Sequence, residues 1–350
     1  MRNCFLITAS SLLLGARIIL GSASDVVFSS AVTKDGTTAW HIVELSTDDR
    51  RRPSNSMKVK ICPEGGGNMF FFSVGGTELI LGPEALSDLK KKQVGTLILY
   101  PTPNRVRDSN YVFQGEKHTM SFSGETRSHA LHGLVWDDAW RFEEPRLGTN
   151  SISCRIWYAL DRNDPRFPAF PYANTLVVQY TLLADRVRIS YEVENRDGRD
   201  MGFGFGVHPF WKIIGDTDKV FIRVPLPYHM ESSNYLPTGR LTMVGSNAAW
   251  DLTEFRPLST LRLDDVFFGA TPMSRVAIDY RTIGRVLHLR ASADLTHVVV
   301  WTTRRYFCIE NQTCSIDAHN LYDRGHVKES HLQIVRPGGK AGGYVDYIPE

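Results

Sequence analysis

The stretch FCIENQTCSIDAHN, residues 307–320, sets one carboxylate, Glu310, inside apolar runs (VVVW, then YFCI) that have the marks of a buried β-strand. An unpaired charge is costly to bury, so such a group raises its pKa, finds a partner, or faces a cavity that takes something polar. A carboxylate tuned upward suits a general base near neutral pH, although read alone such a residue is more often a satisfied structural carboxylate. Three other segments carry polar groups in suggestive settings. In YPTPNRVRDSNYVF, Asn104 and Arg105 follow a proline-rich turn. Arginine offers a rigid fork of donors fitted to hydroxyls and carboxylates, though a lone arginine more often serves a surface ion pair. In LHGLVWDDAW, His132 stands beside Leu131, Trp136 and Trp140. Aromatic faces beside a few aimed polar groups are what a sugar-sized site uses; a packed core histidine fits the same pattern equally well. In GFGFGVHPFWKI, His208 precedes Pro209, Phe210 and Trp211, which holds the imidazole at a constrained strand end. With a pKa near the ordinary value of about 6.5, it would keep a proton ready as a general acid.

The elements that must position these groups read as strands. Thr175 to Thr181 alternates, a turn follows at Ala184-Asp185, and Val187, Ile189, Tyr191 and Val193 interleave with Arg188, Ser190, Glu192 and Glu194, the pattern of a half-buried antiparallel hairpin. Similar runs recur at 69–74, 96–100, 220–224, 286–290 and 297–302, punctuated by Gly, Pro, Asn and Asp. Many short strands with regular turns imply an all-β sandwich or barrel. One helix is expected from Pro83 through Leu89, ending by Gly95. No linker divides residues 25–350, which read as a single domain.

Composition narrows the function classes. The 350 residues are 42% hydrophobic and 22% charged, with 40 basic against 38 acidic side chains and a formal net charge of +2. No field favours nucleic acid or an anionic membrane. The DDRRR cluster at Asp48 to Arg52 reads as a solvated turn. Met1 to Gly15 followed by the small residues Gly21 to Ser24 has the layout of an export signal, which Arg17 partly spoils, and the apolar run is too short to span a bilayer. Residues 1–24 are therefore expected to be a signal peptide and the protein secreted or periplasmic, with a cytoplasmic chain the alternative. Of five cysteines, four follow this segment without C-x-x-C or zinc spacing, so buried free thiols are expected. Gly65-Gly66-Gly67 lacks the Lys-Ser/Thr of a phosphate loop and reads as a turn; His118, His129 and His132 lack metal-ligand spacing. No metal or cofactor is expected. The Asn311-Gln312-Thr313 sequon adjoins Glu310 and reads as accidental.

Six anchors in order give the chain from about Gly65 onward a resemblance to the aldose 1-epimerases, the galactose mutarotase family, in its broader bacterial subgroup. They are Asn104-Arg105, Leu131-His132-Gly133, His208 before an aromatic pair, the turn Pro237-Thr238-Gly239, Asp264-x-x-Phe267, and Glu310-x-Gln312 followed by Asp317 and Asn320. The resemblance implies a large antiparallel β-supersandwich with few short helices and an open sugar cleft. It also implies Glu310 as catalytic base, His208 as catalytic acid, and Arg105, His132, Asp264 and Asn104 as substrate-binding residues. The expected reaction is interconversion of the α and β anomers of a hexose by acid/base ring opening and closure, with a small-molecule sugar as the partner. A non-catalytic carbohydrate-binding protein and a hexose 6-phosphate 1-epimerase are the alternatives. His208-Pro209-Phe210-Trp211-Lys212 departs from the His-Ser-Tyr-Phe-Asn of the galactose-specific members, and Asp265 beside Asp264 leaves the binding aspartate open by one position. The sequence fixes neither the sugar nor the oligomeric state.

Overall fold

Every second side chain of the strand Asn174–Leu183 is buried, and its hairpin partner Val187–Asn195 repeats the pattern, Leu182 lying opposite Val187. This period-two alternation builds most of the molecule, a computed structural model that describes residues 19–23, 25–120 and 128–350. The hairpin belongs to a ten-stranded sheet, Ser151–Leu160 on one side and Lys340–Pro349 on the other. An eight-stranded sheet contains, in spatial order, Asp264–Phe268, His297–Thr302, Tyr306–Gln312, Gly206–Pro209 and Thr96–Leu99. A six-stranded meander runs from Ile19–Ala23 to Thr77–Glu78. Among the described residues the strand pairings within these sheets are antiparallel, and the fold is the all-β supersandwich expected of the sequence. Residues 1–18 and 24 of the expected signal peptide lie outside the described residues.

One apolar core joins the three sheets, drawing Val59 and Phe72 from the meander, Val178 and Ile189 from the ten-stranded sheet, and Val298, Val300, Ile309 and Val207 from the eight-stranded sheet. Alternation then forces the neighbours of the last four onto the opposite face: Val299, Trp301, Glu310 and His208. That face carries the cleft.

The helical expectations need correction. Residues 83–95 hold only a 3-10 turn, Leu86–Lys90, with Leu86 and Leu89 buried and Asp88 accepting the backbone N–H of Ala85. Two apolar side chains are too few to hold a longer helix. The α-helices among the described residues are Ala318–Asp323 and Val327–Ser330, directly after the Glu310 strand. The Gly65–Gly67 stretch is a turn as expected. Gly66 has φ 80°, and a Cβ there would stand 1.8 Å from the Trp136 carbonyl oxygen. Cys62, Cys154, Cys308 and Cys314 are buried free thiols.

Candidate active site

Strand register brings the two principal groups together. Gly206 lies opposite Gln312, and Trp211 lies opposite Phe307. The same register sets His208 opposite Glu310 on neighbouring strands, more than a hundred residues apart in sequence. His208 Nε2 is 3.3 Å from Glu310 Oε1, and both side chains are almost fully buried. Gln312, two residues along and on the same face, donates from Nε2 to Glu310 Oε2 at 3.0 Å, which fixes the carboxyl plane. The His208 ring stacks on Phe210 at 4.4 Å between centroids and meets the His132 ring edge-on at 5.1 Å.

Arg105 and Asp264 stand at the cleft opening. Arg105 Nη1 donates to Asn104 Oδ1 at 3.1 Å, and its Nη2 is 3.9 Å from Asp264 Oδ2. Both side chains are partly exposed, so the pair can open toward an incoming hydroxyl. Asn104 and His132 both adopt left-handed backbone, φ 59° and 68°, and the His132 N–H donates to the Asn104 carbonyl. Gly133 completes this turn at φ 75°, with the Tyr100 carbonyl only 2.1 Å from where a Cβ would sit. The first helix serves the same end. Asp317 donates its N–H to the Arg105 carbonyl and accepts the Arg107 N–H at Oδ1, while Asn320 Nδ2 donates to the Asn110 carbonyl.

Asn104, Arg105, His132, His208, Asp264 and Glu310 line a cleft of about 370 Å3, its open mouth included, together with Leu131, Gln93 and Trp301. All six sequence-derived site residues, Glu310, His208, Arg105, His132, Asp264 and Asn104, border it. Asp264 lines the cleft, whereas Asp265 Oδ1 accepts from Nε2 of the buried His229 at 2.7 Å. The aromatic wall differs from expectation. Trp140 is buried in the core with Nε1 donating to the Val135 carbonyl, and Trp136 packs against the Leu97–Phe210 cluster. Trp301 takes their place, opposite Asp264 in the adjoining strand. Its parity with Glu310 across the strand pair was available in the alternation. Gln93 carries no comparable signal, since it comes from an irregular loop. His118 and His129 lie away from the cleft, His118 stacked on Tyr111 and His129 accepting the Asp108 N–H. No cluster of three metal-ligating side chains occurs among the described residues.

Burial sets the protonation of the pair. It raises Glu310 well above the usual carboxylate range, helped by Asp264 and opposed by the Gln312 hydrogen bond and Arg105. It lowers His208 to about 3, so the fold does not favour the standing imidazolium expected from an ordinary histidine pKa. The stable arrangement is a neutral carboxylic acid beside a neutral imidazole: two groups in contact holding one exchangeable proton. Asp264 is raised too, chiefly by burial and against the pull of Arg105.

The family model for aldose 1-epimerase matches residues 52–347. The chain therefore belongs to the aldose 1-epimerase family, a family of epimerase-type enzymes. Among solved structures it is similar to a galactose mutarotase-like protein of Clostridium acetobutylicum, with 15% identity and a TM-score of 0.81 over 94% of this chain and 99% of that one. Galactose 1-epimerase of Lactobacillus acidophilus NCFM superposes with a TM-score of 0.70 at 15% identity, covering 93% of this chain and 98% of that one. These likenesses establish the shared fold. In sequence, the chain is 21% identical to the uncharacterized protein YihR of Escherichia coli K12 over 64% of this chain and 71% of that protein.

Proposed function

We propose that the protein is an aldose 1-epimerase that interconverts the anomers of a hexose, with Glu310 and His208 as the catalytic pair. The observation that carries this reading is the 3.3 Å contact between His208 Nε2 and Glu310 Oε1 on the cleft floor. Mutarotation needs a proton removed from the anomeric hydroxyl and one delivered to the ring oxygen, with no net gain or loss. A pair that holds one proton has that stoichiometry.

Sugar hydroxyls and the nearby Arg105 favour ionised Glu310, which moves the shared proton to His208. The Glu310 carboxylate then takes the proton of the anomeric hydroxyl while His208 gives its proton to the ring oxygen. The bond from C1 to the ring oxygen breaks and C1 becomes an aldehyde carbon. Rotation about the bond from C1 to C2 presents its other face. The ring hydroxyl attacks, returning its proton to His208, and Glu310 reprotonates the new anomeric oxygen. Arg105, Asp264, Asn104 and His132 hold the remaining hydroxyls, and Trp301 offers an apolar face. The reaction is neutral overall and uses only side chains.

A purely sugar-binding protein gains nothing from a buried acid and base in contact, whereas general acid and base groups each contribute about 10²- to 10⁴-fold to a reaction of this kind. The Glu310→Gln variant is expected to fold, to bind sugar and to lose mutarotation by about 10²-fold or more, read by exchange NMR across a panel of aldoses and their 6-phosphates. Exchange at the wild-type rate in this variant would remove Glu310 from the mechanism. Acceleration only for the phosphorylated sugars would move the assignment to a hexose 6-phosphate 1-epimerase.

A further inference from the structure

The strands Tyr228–Ser233 and Leu236–Met243 form a hairpin in the sheet that carries the cleft. Ser233 pairs with Leu236, so Asn234 and Tyr235 alone make the turn, at φ 51° and 63°. Two left-handed residues in a two-residue loop are the type I′ pattern, for which Asn-Gly is the favoured pair. Asparagine tolerates this backbone, whereas a tyrosine with its Cβ adopts it under strain. The hairpin itself is well seated. Leu236 is buried in one apolar cluster with Met230, Val266 and Phe268, and Tyr228 and His229 pair with the strand that begins at Asp264. Tyr235 is nevertheless 58% exposed, so neither turn geometry nor burial accounts for a large aromatic at this position.

What the ring does meet is Arg105. The guanidinium carbon lies over the face of Tyr235, 4.7 Å from the ring centroid. Arg105 lines the cleft, with Nη1 donating to Asn104 and Nη2 at 3.9 Å from Asp264. Those two contacts engage the nitrogens, whereas the tyrosine covers the flat face and uses no N–H. We infer that Tyr235 is a positioning residue: its ring holds the Arg105 guanidinium in one plane, so that the remaining N–H groups stay presented to the sugar in the cleft. This rests on the reading of Arg105 as a sugar-binding group given above. An unstacked arginine samples several rotamers, and each binding event must then order it; the stacked one is ordered beforehand. Strain in the turn thus falls on the residue that keeps a binding group in place.

Exchange NMR on a panel of aldoses, with urea unfolding beside it, tests the assignment. Tyr235→Gly suits the turn and is expected to unfold at a urea midpoint no lower than that of the wild type, while KM rises about three- to fivefold and kcat stays within about 1.5-fold. Tyr235→Phe keeps the aromatic face and is expected to hold KM within about 1.5-fold of the wild type. Lysine has no plane to stack, so in an Arg105→Lys background Tyr235→Gly is expected to add nothing further to KM. A lowered midpoint for Tyr235→Gly would make the tyrosine a residue of the fold and overturn the inference. An unchanged KM, or the same rise in the Arg105→Lys background, would overturn it too. A wild type that accelerates exchange of no aldose would refute the reaction reading by itself. The variants are then compared by sugar binding in saturation-transfer NMR: weaker binding by Tyr235→Gly but not by Tyr235→Phe upholds the positioning role, and equal binding by both overturns it.

Discussion

As proposed catalytic groups, Glu310 and His208 act as a couple rather than as an isolated base and an isolated acid, and this changes the expected pH behaviour. A free-standing imidazolium with a pKa of about 6.5 would give activity that declines as pH rises through that value. In the structure His208 is lowered to about 3 and Glu310 raised, both by burial, so the couple takes up a second proton only in strong acid and loses its one proton only above the ordinary carboxylate range. The expected kcat/KM profile therefore has its acid limb far below about pH 6.5 and an alkaline limb that belongs to the couple as a whole. An alkaline limb at about 6.5 that stays in place in a Glu310→Gln variant retaining residual activity would restore the isolated imidazolium. Of the residues involved, Glu310 was legible because a carboxylate interrupts an apolar strand. Its upward shift was legible for the same reason, whereas the lowering of His208 was not, because the burial that causes it comes only with the fold.

Single elements decide where the cleft's outer residues stand. The Leu131-His132-Gly133 turn fits only because Gly133 has no Cβ, at φ 75° and in contact with the Tyr100 carbonyl. Gly133→Ala is expected to cost about 3 kcal/mol of stability, read from urea unfolding, and to lower kcat/KM by displacing His132. An unchanged unfolding midpoint would show that the turn relaxes freely. Asp265, paired with His229 behind the cleft, also accepts the Asp264 N–H at Oδ2. Asp265→Asn is expected to raise KM more than it lowers kcat, since it shifts a binding group and leaves the proton couple alone. A loss confined to kcat would contradict that positioning role. The strands themselves were plain in the alternation, and His297–Thr302 was expected at those same limits. The helix Ala318–Asp323 was not, since six residues provide less than two turns of periodicity and its order comes from Asp317 and Asn320 bonding to distant backbone. Trp136 and Trp140 were placed at the cleft by sequence proximity to His132, while Trp301 reaches it through sheet register.

At the scale of the whole molecule, acid stability is set by histidines kept neutral in the interior. Burial lowers His297 to about 3 and His319 to about 4; their Nε2 atoms lie 3.0 and 2.8 Å from the carbonyls of Glu329 and Gly202. In the unfolded chain both titrate near about 6.5, so between that value and about 4 the unfolded state binds more protons and stability falls as pH falls. Glu310, raised in the fold, acts in the opposite sense. The urea midpoint is expected to drop between about pH 7.5 and pH 5, and to drop less in a His319→Gln variant. An identical drop in that variant would place the acid sensitivity elsewhere. The export signal expected of residues 1–24 stands as a proposal at this scale, read by N-terminal sequencing of the mature protein.

The facing arrangement of His208 and Glu310 has one more consequence. If the strand Gly206–Pro209 slid by a single position, its imidazole would turn into the apolar interior and Val207 would turn out toward the carboxyl group. Misalignment would then strand a polar ring among hydrocarbons and leave an acid without its mate, a double penalty on the wrong alignment. The proposed catalytic couple thus doubles as a proof-reader of assembly: a chain that has closed this sheet out of step is less stable and, on the proposed mechanism, inert.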